Sequence, residues 1–592
     1  MKTSFATKIL LKLPVIGYKL KQAHYDLLTQ TGEELLAENK DAWQEYPRPQ
    51  IRREGYQILN GTWKLNGNDI RMPFPPQSIL SGYGKKVYEY LTYERKFMVP
   101  AEFEKERILL HFGAVDQIAE VYVNDTLVGT HEGGYLPFSF DITNAVKNGE
   151  NLLVVKAVDT LSKDYPYGKQ TKKRGGMWYT PVSGIWQTVW IENVPETYIE
   201  DIRLTPDLKG VDIEVKQSGN VSGFTVRLTL ENGQTIKKHF EGCRGRLDLT
   251  SIVLKDGSGY APVLWTPENP HLYDLRIETK TDAVDTYFAL RTINIEEING
   301  KKRVCLNGKP VFWHGVLDQG YYSDGIYLPA KASEYTKDIL RMKELGVNLL
   351  RKHIKVEPDI FYYECDQLGI LVMQDMVNSG PYSFIRDTAL PTIGLKKRKD
   401  EQGTISGKRK EFFIKHSKET IGHLYNHPCV VAYTIFNEGW GQFHSDEVYD
   451  MVKEWDPTRL IDSTSGWFWQ EKNDFDSEHI YFKVIPLQPK KRPLFVSECG
   501  GYTMPVEGHM YSKYASYGYG MAEDEEALTE KIVFMYENMI LPFIKDGVCG
   551  CIYTQLSDVE DEINGLYTYD RKECKVNKEK MRALAERLMG EV

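Results

Sequence analysis

Two glutamates stand at the ends of apolar runs in the C-terminal half of the chain. Glu438 comes after the run 430–436 and Asn437, and Glu498 comes after the shorter run Leu494-Phe-Val-Ser. An ionisable side chain at the end of a buried strand is costly unless another group satisfies or uses it. Two facing carboxyl groups can divide the cleavage of a glycosidic bond between an acid and a nucleophile or charge stabiliser. The two glutamates are therefore candidates for a catalytic pair.

Each glutamate taken alone has a simpler explanation, namely a structural carboxylate satisfied by a salt bridge. The pair, accompanied by Asn437, Gly439 and Trp440, favours catalysis over that explanation. An acid and an ionised carboxylate can coexist only if their pKa values differ, and burial or mutual repulsion can separate those values. A nearby Arg351 would hold one carboxylate ionised and so favour it as the nucleophile.

The region that carries both glutamates alternates strand-like and helix-like segments. This alternation predicts βα units, and residues 294–592 are enough for a (β/α)8 barrel, whose chemistry sits at the carboxyl ends of its strands. Ser333 is a candidate N-cap for one helix, and Gly346 is its stop. The apolar face of that helix is predicted to carry Tyr335, Ile339, Met342 and Leu345. Residues 377–410 lack a clear period and are predicted to form a long loop or lid on the same face.

Other polar and aromatic side chains fall at strand ends or loops of this region. Each of them singly is more often a structural hydrogen-bonding residue than a catalytic group. Together they suit a hydroxyl-rich ligand, which needs donors and acceptors for its hydroxyls and flat aromatic faces for its C–H groups. The predicted substrate-binding set is Asn437, Arg351, His353, His314, Asp318, Asp375, His479, Tyr481, Trp440 and Trp467.

The N-terminal half has a different pattern, with short alternating runs separated by Gly, Asn, Asp and Pro turns. Residues 41–195 predict a β-sandwich or jelly roll, and residues 196–293 have the length of an immunoglobulin-like sandwich. Residues 1–40 are predicted to be an extension, helical in part around Tyr25 and Glu33. The predicted fold class is therefore multidomain: a jelly-roll β-sandwich, an immunoglobulin-like β-sandwich and a (β/α)8 TIM barrel.

Composition narrows the classes of partner. The net charge of −9 argues against nucleic acid and anionic membranes as partners. The eight cysteines are scattered, without the spacing of a zinc site, which favours reduced thiols and a cytoplasmic protein. The basic, apolar stretch 8–17 resembles a secretory signal, but Lys12 and Pro14 interrupt it, so a helix or tail is favoured. No metal or cofactor is predicted, and a homo-oligomer is left open.

Motifs across most of the chain after residue 45 share one pattern. They include Asn60-Gly-Thr-Trp63, Gly133-Gly-Tyr-Leu-Pro-Phe-Ser-Phe-Asp141, Ser183-Gly-Ile-Trp186, Trp265-Thr-Pro-Glu-Asn-Pro-His-Leu-Tyr273, Phe436-Asn-Glu438 and Val496-Ser-Glu-Cys-Gly-Gly501. This set resembles the family 2 glycoside hydrolases, which include β-galactosidases, β-glucuronidases and β-mannosidases. The resemblance implies a retaining mechanism with a glycosyl-enzyme intermediate.

The resemblance also implies roles for single residues. Glu438 matches the family's acid/base, Asn437 its 2-hydroxyl ligand, and Glu498 its nucleophile, while Arg351 and Tyr481 match an arginine and a tyrosine near that nucleophile. Cys499 departs from the aromatic residue that often follows the nucleophile. The Asn-x-Lys element by which β-glucuronidases bind a carboxylate is missing after Glu498.

These features lead to a retaining exo-β-glycosidase as the predicted function, with a β-galactoside as the first choice of substrate. A β-glucuronidase, a β-galacturonidase or another glycosidase of the same family is the alternative within the class. Alternatives beyond hydrolysis are a transglycosylase, which would use the same residues, and a carbohydrate-binding protein without catalysis. Turnover of aryl glycosides would separate the last of these from an enzyme.

Overall fold

The computed structural model describes residues 24–84, 89–219, 223–397, 399–400, 405–513 and 516–592. The basic, apolar stretch 8–17, for which a helix or tail is predicted, lies outside the described residues. No helix in the described ranges is long and apolar enough to cross a membrane.

The first domain is a β-sandwich of antiparallel strands, as the alternating pattern predicts. Its two main sheets pack apolar faces together around Trp63, Phe112 and Val121. The four-stranded sheet has the order Tyr56–Ile58, Val189–Val194, Arg107–Phe112 and Phe138–Asp141. The six-stranded sheet has the order Asn68–Met72, Gly61–Leu65, Tyr90–Met98, Glu150–Val158, Ile118–Val123 and Thr126–Glu132. A small ladder pairs Val115–Asp116 with Gly184–Ile185.

The run at 119–128, which reads as one strand in the sequence, is a hairpin in the structure. Asn124 and Asp125 adopt left-handed backbone conformations, with φ of 47° and 67°, and reverse the chain. Such turns favour Asn and Asp because their short polar side chains tolerate positive φ.

The second domain is a smaller antiparallel sandwich, as predicted. One sheet has the order Ile199–Pro206, Gly210–Gln217 and Arg244–Asp248. The other has the order Thr235–Phe240, Phe224–Thr229, Tyr273–Glu278 and Ala283–Phe288. A short 3-10 turn, Leu249–Ser251, follows the first sheet. A three-stranded sheet then leads into the barrel, with strands Ile293–Ile298, Lys301–Leu306 and Lys309–Pro310.

The third domain contains an eight-stranded parallel sheet that curls into a barrel. In chain order, its first to eighth strands are Trp313–Asp318, Leu349–Lys352, Leu371–Asp375, Val430–Asn437, Leu460–Ser465, Asp476–Ile480, Leu494–Gly500 and Val548–Thr554. The hydrogen-bonded order is 5-4-3-2-1-8-7-6, and the fifth and sixth strands lie beside each other at the remaining seam. Seven of the eight strands are buried at every residue, as expected for parallel strands covered on both faces.

Helices of the described residues surround this sheet. They are Ser333–Glu344, Asp359–Leu368, Gly407–Leu424, Ser445–Trp455, Glu525–Met535 and Lys578–Gly590, with short turns at Ile385–Ala389, Leu390–Thr392, Tyr536–Ile540 and Leu541–Phe543. The helix from Ser333 buries its predicted apolar face, but Ala332 is its N-cap and no side chain caps it. The predicted loop 377–410 contains short helical turns, and its last residues already belong to the helix Gly407–Leu424.

The N-terminal segment packs onto the barrel domain. Its helix, Gln30–Glu38, includes Glu33 as predicted, whereas Tyr25 precedes it, outside any helix or strand. The Thr29 hydroxyl donates to Asp324 Oδ2 at 2.6 Å, and the Thr29 amide donates to the same oxygen at 2.8 Å. Thr29 is fully buried, so this contact fixes the segment against the loop that follows the first barrel strand.

A loop of the jelly roll reaches the barrel mouth. The Tyr167 hydroxyl donates to the carbonyl oxygen of Gly380 at 2.8 Å, and the Tyr167 amide donates to Asn378 O at 3.0 Å. Tyr135 and Tyr327 join their hydroxyls at 2.9 Å across the same domain boundary. The first domain thus contributes to the wall of the mouth.

Candidate active site

Glu438 stands directly after the fourth barrel strand, at the mouth. Its backbone is left-handed, with φ of 53°, and its amide donates to Ser465 O at 3.2 Å. The Trp467 indole N–H donates to the carbonyl oxygen of Glu438 at 3.2 Å. A non-glycine residue at positive φ is uncommon, and such strain gathers at functional sites. Here it turns the Glu438 carboxylate towards His479, whose Nδ1 lies 2.9 Å from Glu438 Oε1.

Glu498 lies within the seventh barrel strand and is buried. Arg351 Nη1 donates to Glu498 Oε1 at 3.0 Å, and the Tyr481 hydroxyl donates to Oε2. Burial alone would raise the pKa of this carboxyl group. The charges of His479 and Arg351 and the Tyr481 hydrogen bond outweigh burial and lower the pKa to about 2. Glu498 is therefore an ionised carboxylate at neutral pH.

Arg351, in the second barrel strand, is the centre of the polar network. It is fully buried, and besides Glu498 it donates to Asp375, Asn437, Ser465 and the backbone oxygen of Ser497, at 2.9 to 3.1 Å. A guanidinium has five donors in a rigid plane, so it can fix several acceptors at once. It therefore links five neighbouring positions from the third, fourth, fifth and seventh strands.

The two carboxylates are close together. One ligand atom from each of Glu438, His479 and Glu498 falls within 4.8 Å of the others. His479 lies between them, with Nε2 3.5 Å from Glu498 Oε1. Retaining glycosidases place their carboxyl groups about 5–5.5 Å apart, whereas inverting enzymes need about 6.5–9.5 Å to admit a water molecule. This separation is well below the inverting range and closer to the retaining one.

Asp375 and His353 support the centre from the third strand and the end of the second. Asp375 Oδ1 accepts from Arg351 Nε at 2.9 Å, and Asp375 Oδ2 lies 2.7 Å from His353 Nδ1. Burial lowers the pKa of His353 to about 4, so its ring is neutral at pH 7. A neutral imidazole that donates from Nδ1 keeps Nε2 as an acceptor for a hydroxyl.

Aromatic side chains form the walls of the mouth. Trp440 donates its indole N–H to Gly380 O at 3.0 Å and packs edge-on against Tyr167 and Trp178 of the jelly-roll loop. Tyr481 stacks on Tyr519, with ring centroids 4.1 Å apart. These rings give a sugar both flat apolar faces and a closed wall.

Family models of the glycosyl hydrolases match the three domains in turn. The family 2 sugar-binding domain matches residues 76–195, the second family 2 domain residues 197–291, and the family 2 TIM-barrel domain residues 297–564. The chain belongs to glycoside hydrolase family 2. These matches confirm the predicted resemblance to family 2 and the predicted fold class.

Several family 2 proteins resemble the chain at low identity. A β-galactosidase of Thermoanaerobacter pseudethanolicus is 27% identical over 394 residues, covering 64% of this chain and 49% of that protein. A β-galactosidase of Leuconostoc mesenteroides is 25% identical over 436 residues, covering 68% of this chain and 39% of that protein. The chain thus spans about half the length, or less, of these curated relatives.

Solved structures share the fold over nearly their whole length. A β-D-glucuronidase of Dictyoglomus thermophilum superposes with a TM-score of 0.71 at 21% identity, covering 92% of this chain and 98% of that one. A Ruminococcus gnavus β-glucuronidase gives a TM-score of 0.72 at 21% identity, covering 92% and 99%. At this identity the likeness establishes the fold alone.

Two predicted site residues of this family 2 chain lie elsewhere. His314 is at the amino end of the first barrel strand, buried, with Nδ1 3.0 Å from Gly346 O. Asp318 is at the carboxyl end of the same strand, but its carboxylate accepts from Lys352 at 2.5 Å and from the Gly320 amide at 2.9 Å. Neither side chain contacts Glu438 or Glu498.

The remaining predicted residues come together around the two glutamates. Four of them contact the pair directly or through one hydrogen bond: Arg351, Asn437, His479 and Tyr481. The other four form the surrounding wall: Asp375, His353, Trp440 and Trp467. The sequence argument missed Ser465, which ends the fifth strand and accepts from Arg351. Its polar run Asp462-Ser-Thr-Ser465 at a strand end was the available signal.

The loop from the jelly roll adds a second set of groups that the sequence argument missed. Tyr179 donates its hydroxyl to Glu562, and Lys169 lies 6.0 Å from the Trp178 ring. Nothing in the sequence near these residues points to the barrel, because the loop belongs to a different domain. Their placement depends on the packing of the first domain against the third.

The glutamate pair with His479 is also the group, among the described residues, whose ligand atoms are close enough to surround a metal ion. The Arg351 guanidinium already contacts Glu498 at 3.0 Å and remains charged at every accessible pH. A second cation would meet that fixed positive charge, so the donor set fits a carboxylate pair better than a metal centre.

Proposed function

We propose that this chain is a retaining exo-β-glycosidase. The carboxylate pair, whose oxygens lie within 4.8 Å, is the observation that supports this proposal. Glu498, held ionised by Arg351, attacks the anomeric carbon of a terminal sugar. Glu438 protonates the leaving oxygen and then takes a proton from the water that releases the sugar.

The surrounding residues have matching roles in this proposal. Asn437 presents its side chain beside the nucleophile, where its amide N–H2 can donate to the 2-hydroxyl while Oδ1 accepts from Arg351. Tyr481 holds the second oxygen of Glu498 and thereby directs the first towards the substrate. His353 accepts from a sugar hydroxyl at Nε2 because Asp375 fixes its tautomer.

A terminal β-galactoside is the first substrate we propose, and a β-glucuronide or β-galacturonide is the second. The second is favoured by Lys169, which brings a positive charge to the mouth. Burial lowers the pKa of His353, and the charge of Lys169 acts in the same direction. An ammonium group near the sugar can bind a uronate carboxylate although the Asn-x-Lys element is missing.

The experiment is a panel of 4-nitrophenyl glycosides with Glu498→Gly as the test variant. Wild type should release nitrophenol from at least one β-glycoside, and Glu498→Gly should not. Azide should restore product formation and give a glycosyl azide of inverted configuration, because it attacks the face that Glu498 vacates. Near-full activity of Glu498→Gly would refute the assignment, and sugar binding without any wild-type turnover would favour a carbohydrate-binding protein.

We also propose that the protein works on carbohydrate in the cytoplasm. All eight cysteines are free thiols, and six of them are buried, which supports a reducing compartment. Cell fractionation, with a thiol-reactive probe to report whether the cysteines are reduced, would test the location.

A further inference from the structure

We propose that the rim of the mouth is an aglycone site for an apolar, aromatic leaving group, and that Phe482 is its principal specificity residue. This inference rests on the proposed glycosidase function, and it concerns the group that leaves rather than the sugar that stays. The sugar would occupy the buried end, which Arg351 closes, so the leaving group must point outwards across the rim.

Phe482 is an exposed aromatic ring in a strained position. It follows Tyr481 after the sixth barrel strand, its side chain is 64% exposed, and its φ is 67°. A left-handed backbone costs free energy for any residue with a Cβ, and most of all for bulky ones. Burial of the ring within the protein does not offset this cost, because the ring faces solvent. Such a conformation is typical of a residue kept for binding.

A chain of contacts through Tyr519 and Tyr481 connects Phe482 to the proposed nucleophile. Its ring packs edge-on against Tyr519, with centroids 5.0 Å apart, and Tyr519 stacks on Tyr481. The Tyr481 hydroxyl in turn donates to Glu498. A ring placed at the outer end of this stack lies beside the path by which a leaving group departs from the anomeric carbon.

Two further apolar side chains are exposed on neighbouring rim loops. Trp469, 37% exposed, comes two residues after Trp467, whose indole contacts the backbone of Glu438. Leu395, 59% exposed, precedes Lys396, whose carbonyl oxygen accepts from the Phe468 amide at 3.0 Å. The loop after the third strand therefore reaches the loop after the fifth.

These three side chains offer apolar contact and few hydrogen-bonding groups. A second sugar would need donors and acceptors for its hydroxyls, and leaving them unpaired costs affinity. An aromatic aglycone needs only flat and edge contacts of the kind that Phe482 and Trp469 can make. The chemistry of these three side chains therefore favours an aryl glycoside over an oligosaccharide.

The test compares two substrates with the same terminal sugar, a 2-naphthyl glycoside and a disaccharide. Phe482→Ala should lower kcat/KM for the naphthyl glycoside about tenfold and change that for the disaccharide less than about twofold. The rate of glycosyl-enzyme breakdown, measured in a single turnover after aglycone release, should not change, because the aglycone has already left. Phe482→Trp should restore the preference.

Phe534→Ala is the matched control, since Phe534 is 59% exposed on the helix Glu525–Met535 and should not affect either substrate. Phe482→Gly removes the backbone strain, so it should have a higher Tm than Phe482→Ala while losing the same selectivity. This variant excludes misfolding as the cause of the effect.

Equal losses for both substrates, or no loss for either, would overturn the inference. A shift of oligomeric state in Phe482→Ala without a change in selectivity would also overturn it, because the rim would then be an interface between copies. Binding of a naphthyl 1-thioglycoside to wild type and Phe482→Ala, measured by calorimetry, gives the same comparison without turnover. Failure of all hydrolysis would thus count against the proposed function, and equal binding would count against the aglycone site.

Discussion

Arg351→Met should separate the electrostatic role of Arg351 from the shape of its side chain. Methionine fills a similar volume but carries no charge and no donor, so it leaves Glu498, Asp375 and Asn437 without their shared partner. The pKa of Glu498 is lowered from 4.5 to about 2 in the folded protein: burial alone would raise it, but His479 and Arg351 outweigh burial. A difference of this size corresponds to about 3 kcal/mol between the two protonation states.

The sign of the pH effect follows from the nucleophilic role. Glu498 must be ionised to attack, so activity is lost as the pH falls through its pKa. In wild type that loss lies near pH 2, below the usual assay range. In Arg351→Met the burial effect is no longer opposed by this cation, so the acid limb of kcat/KM should move upwards to about pH 4–6. At pH 7, kcat/KM should fall about 100- to 1,000-fold, because the network no longer positions the nucleophile.

The same lowered pKa makes a prediction for stability. A carboxyl group whose pKa is lower in the folded state adds stability above its unfolded pKa and loses it as the pH falls through the folded pKa. The contribution of Glu498, about 3 kcal/mol, should therefore be present above pH 4.5 and disappear towards pH 2. Breaking a buried ion pair costs about 3–5 kcal/mol, so Arg351→Met should also lower the Tm at pH 7.

Arg351→Lys is the control, because it keeps the charge but cannot reach all the acceptors of the guanidinium. Its acid limb should stay low while kcat falls. The assay is a pH profile of kcat/KM on the best substrate of the nitrophenyl panel, beside thermal unfolding of each variant. If Arg351→Met keeps its acid limb below pH 4 and loses less than about threefold in kcat/KM, the electrostatic argument is wrong.

Three further changes probe other contacts. Tyr481→Phe removes the hydroxyl that donates to Glu498 and should lower kcat about 10- to 100-fold with little change in Tm. Thr29→Val removes the buried bond to Asp324 and should lower the free energy of unfolding in urea by about 1–3 kcal/mol. Gly441→Ala places a Cβ 2.3 Å from a backbone oxygen at a φ of 71° and should cost about 2 kcal/mol or more.

Matched controls exist for two of these changes. Tyr449→Phe removes a hydroxyl bond to Asp474 outside the mouth, and kcat should not change. Thr126→Val changes an exposed residue at the start of the jelly-roll strand Thr126–Glu132, and the unfolding free energy should move by less than about 0.5 kcal/mol. If Tyr481→Phe matches Tyr449→Phe in activity, Tyr481 does not position the nucleophile. If Thr29→Val unfolds like Thr126→Val, the N-terminal segment adds no stability.

The sequence by itself determined the domain order and the positions of the two glutamates. Buried parallel strands need continuous apolar runs, so a polar residue at the end of such a run stands out. The strands Val430–Asn437 and Leu494–Gly500 have this form. The structure places Glu438 directly after the first of them and Glu498 within the second. The helix from Ser333 was predictable for a similar reason, because its apolar residues recur with the helical period.

Only the tertiary structure decided which polar residues join the pair. Arg351 and Lys352 are adjacent, yet one faces the barrel interior and the other contacts Asp318, because neighbouring residues of a strand point to opposite faces. His314 was misplaced because the two ends of a short strand look alike in a sequence. Lys169 and Trp178 come from another domain, and long-range packing, which no local pattern encodes, brings them to the mouth.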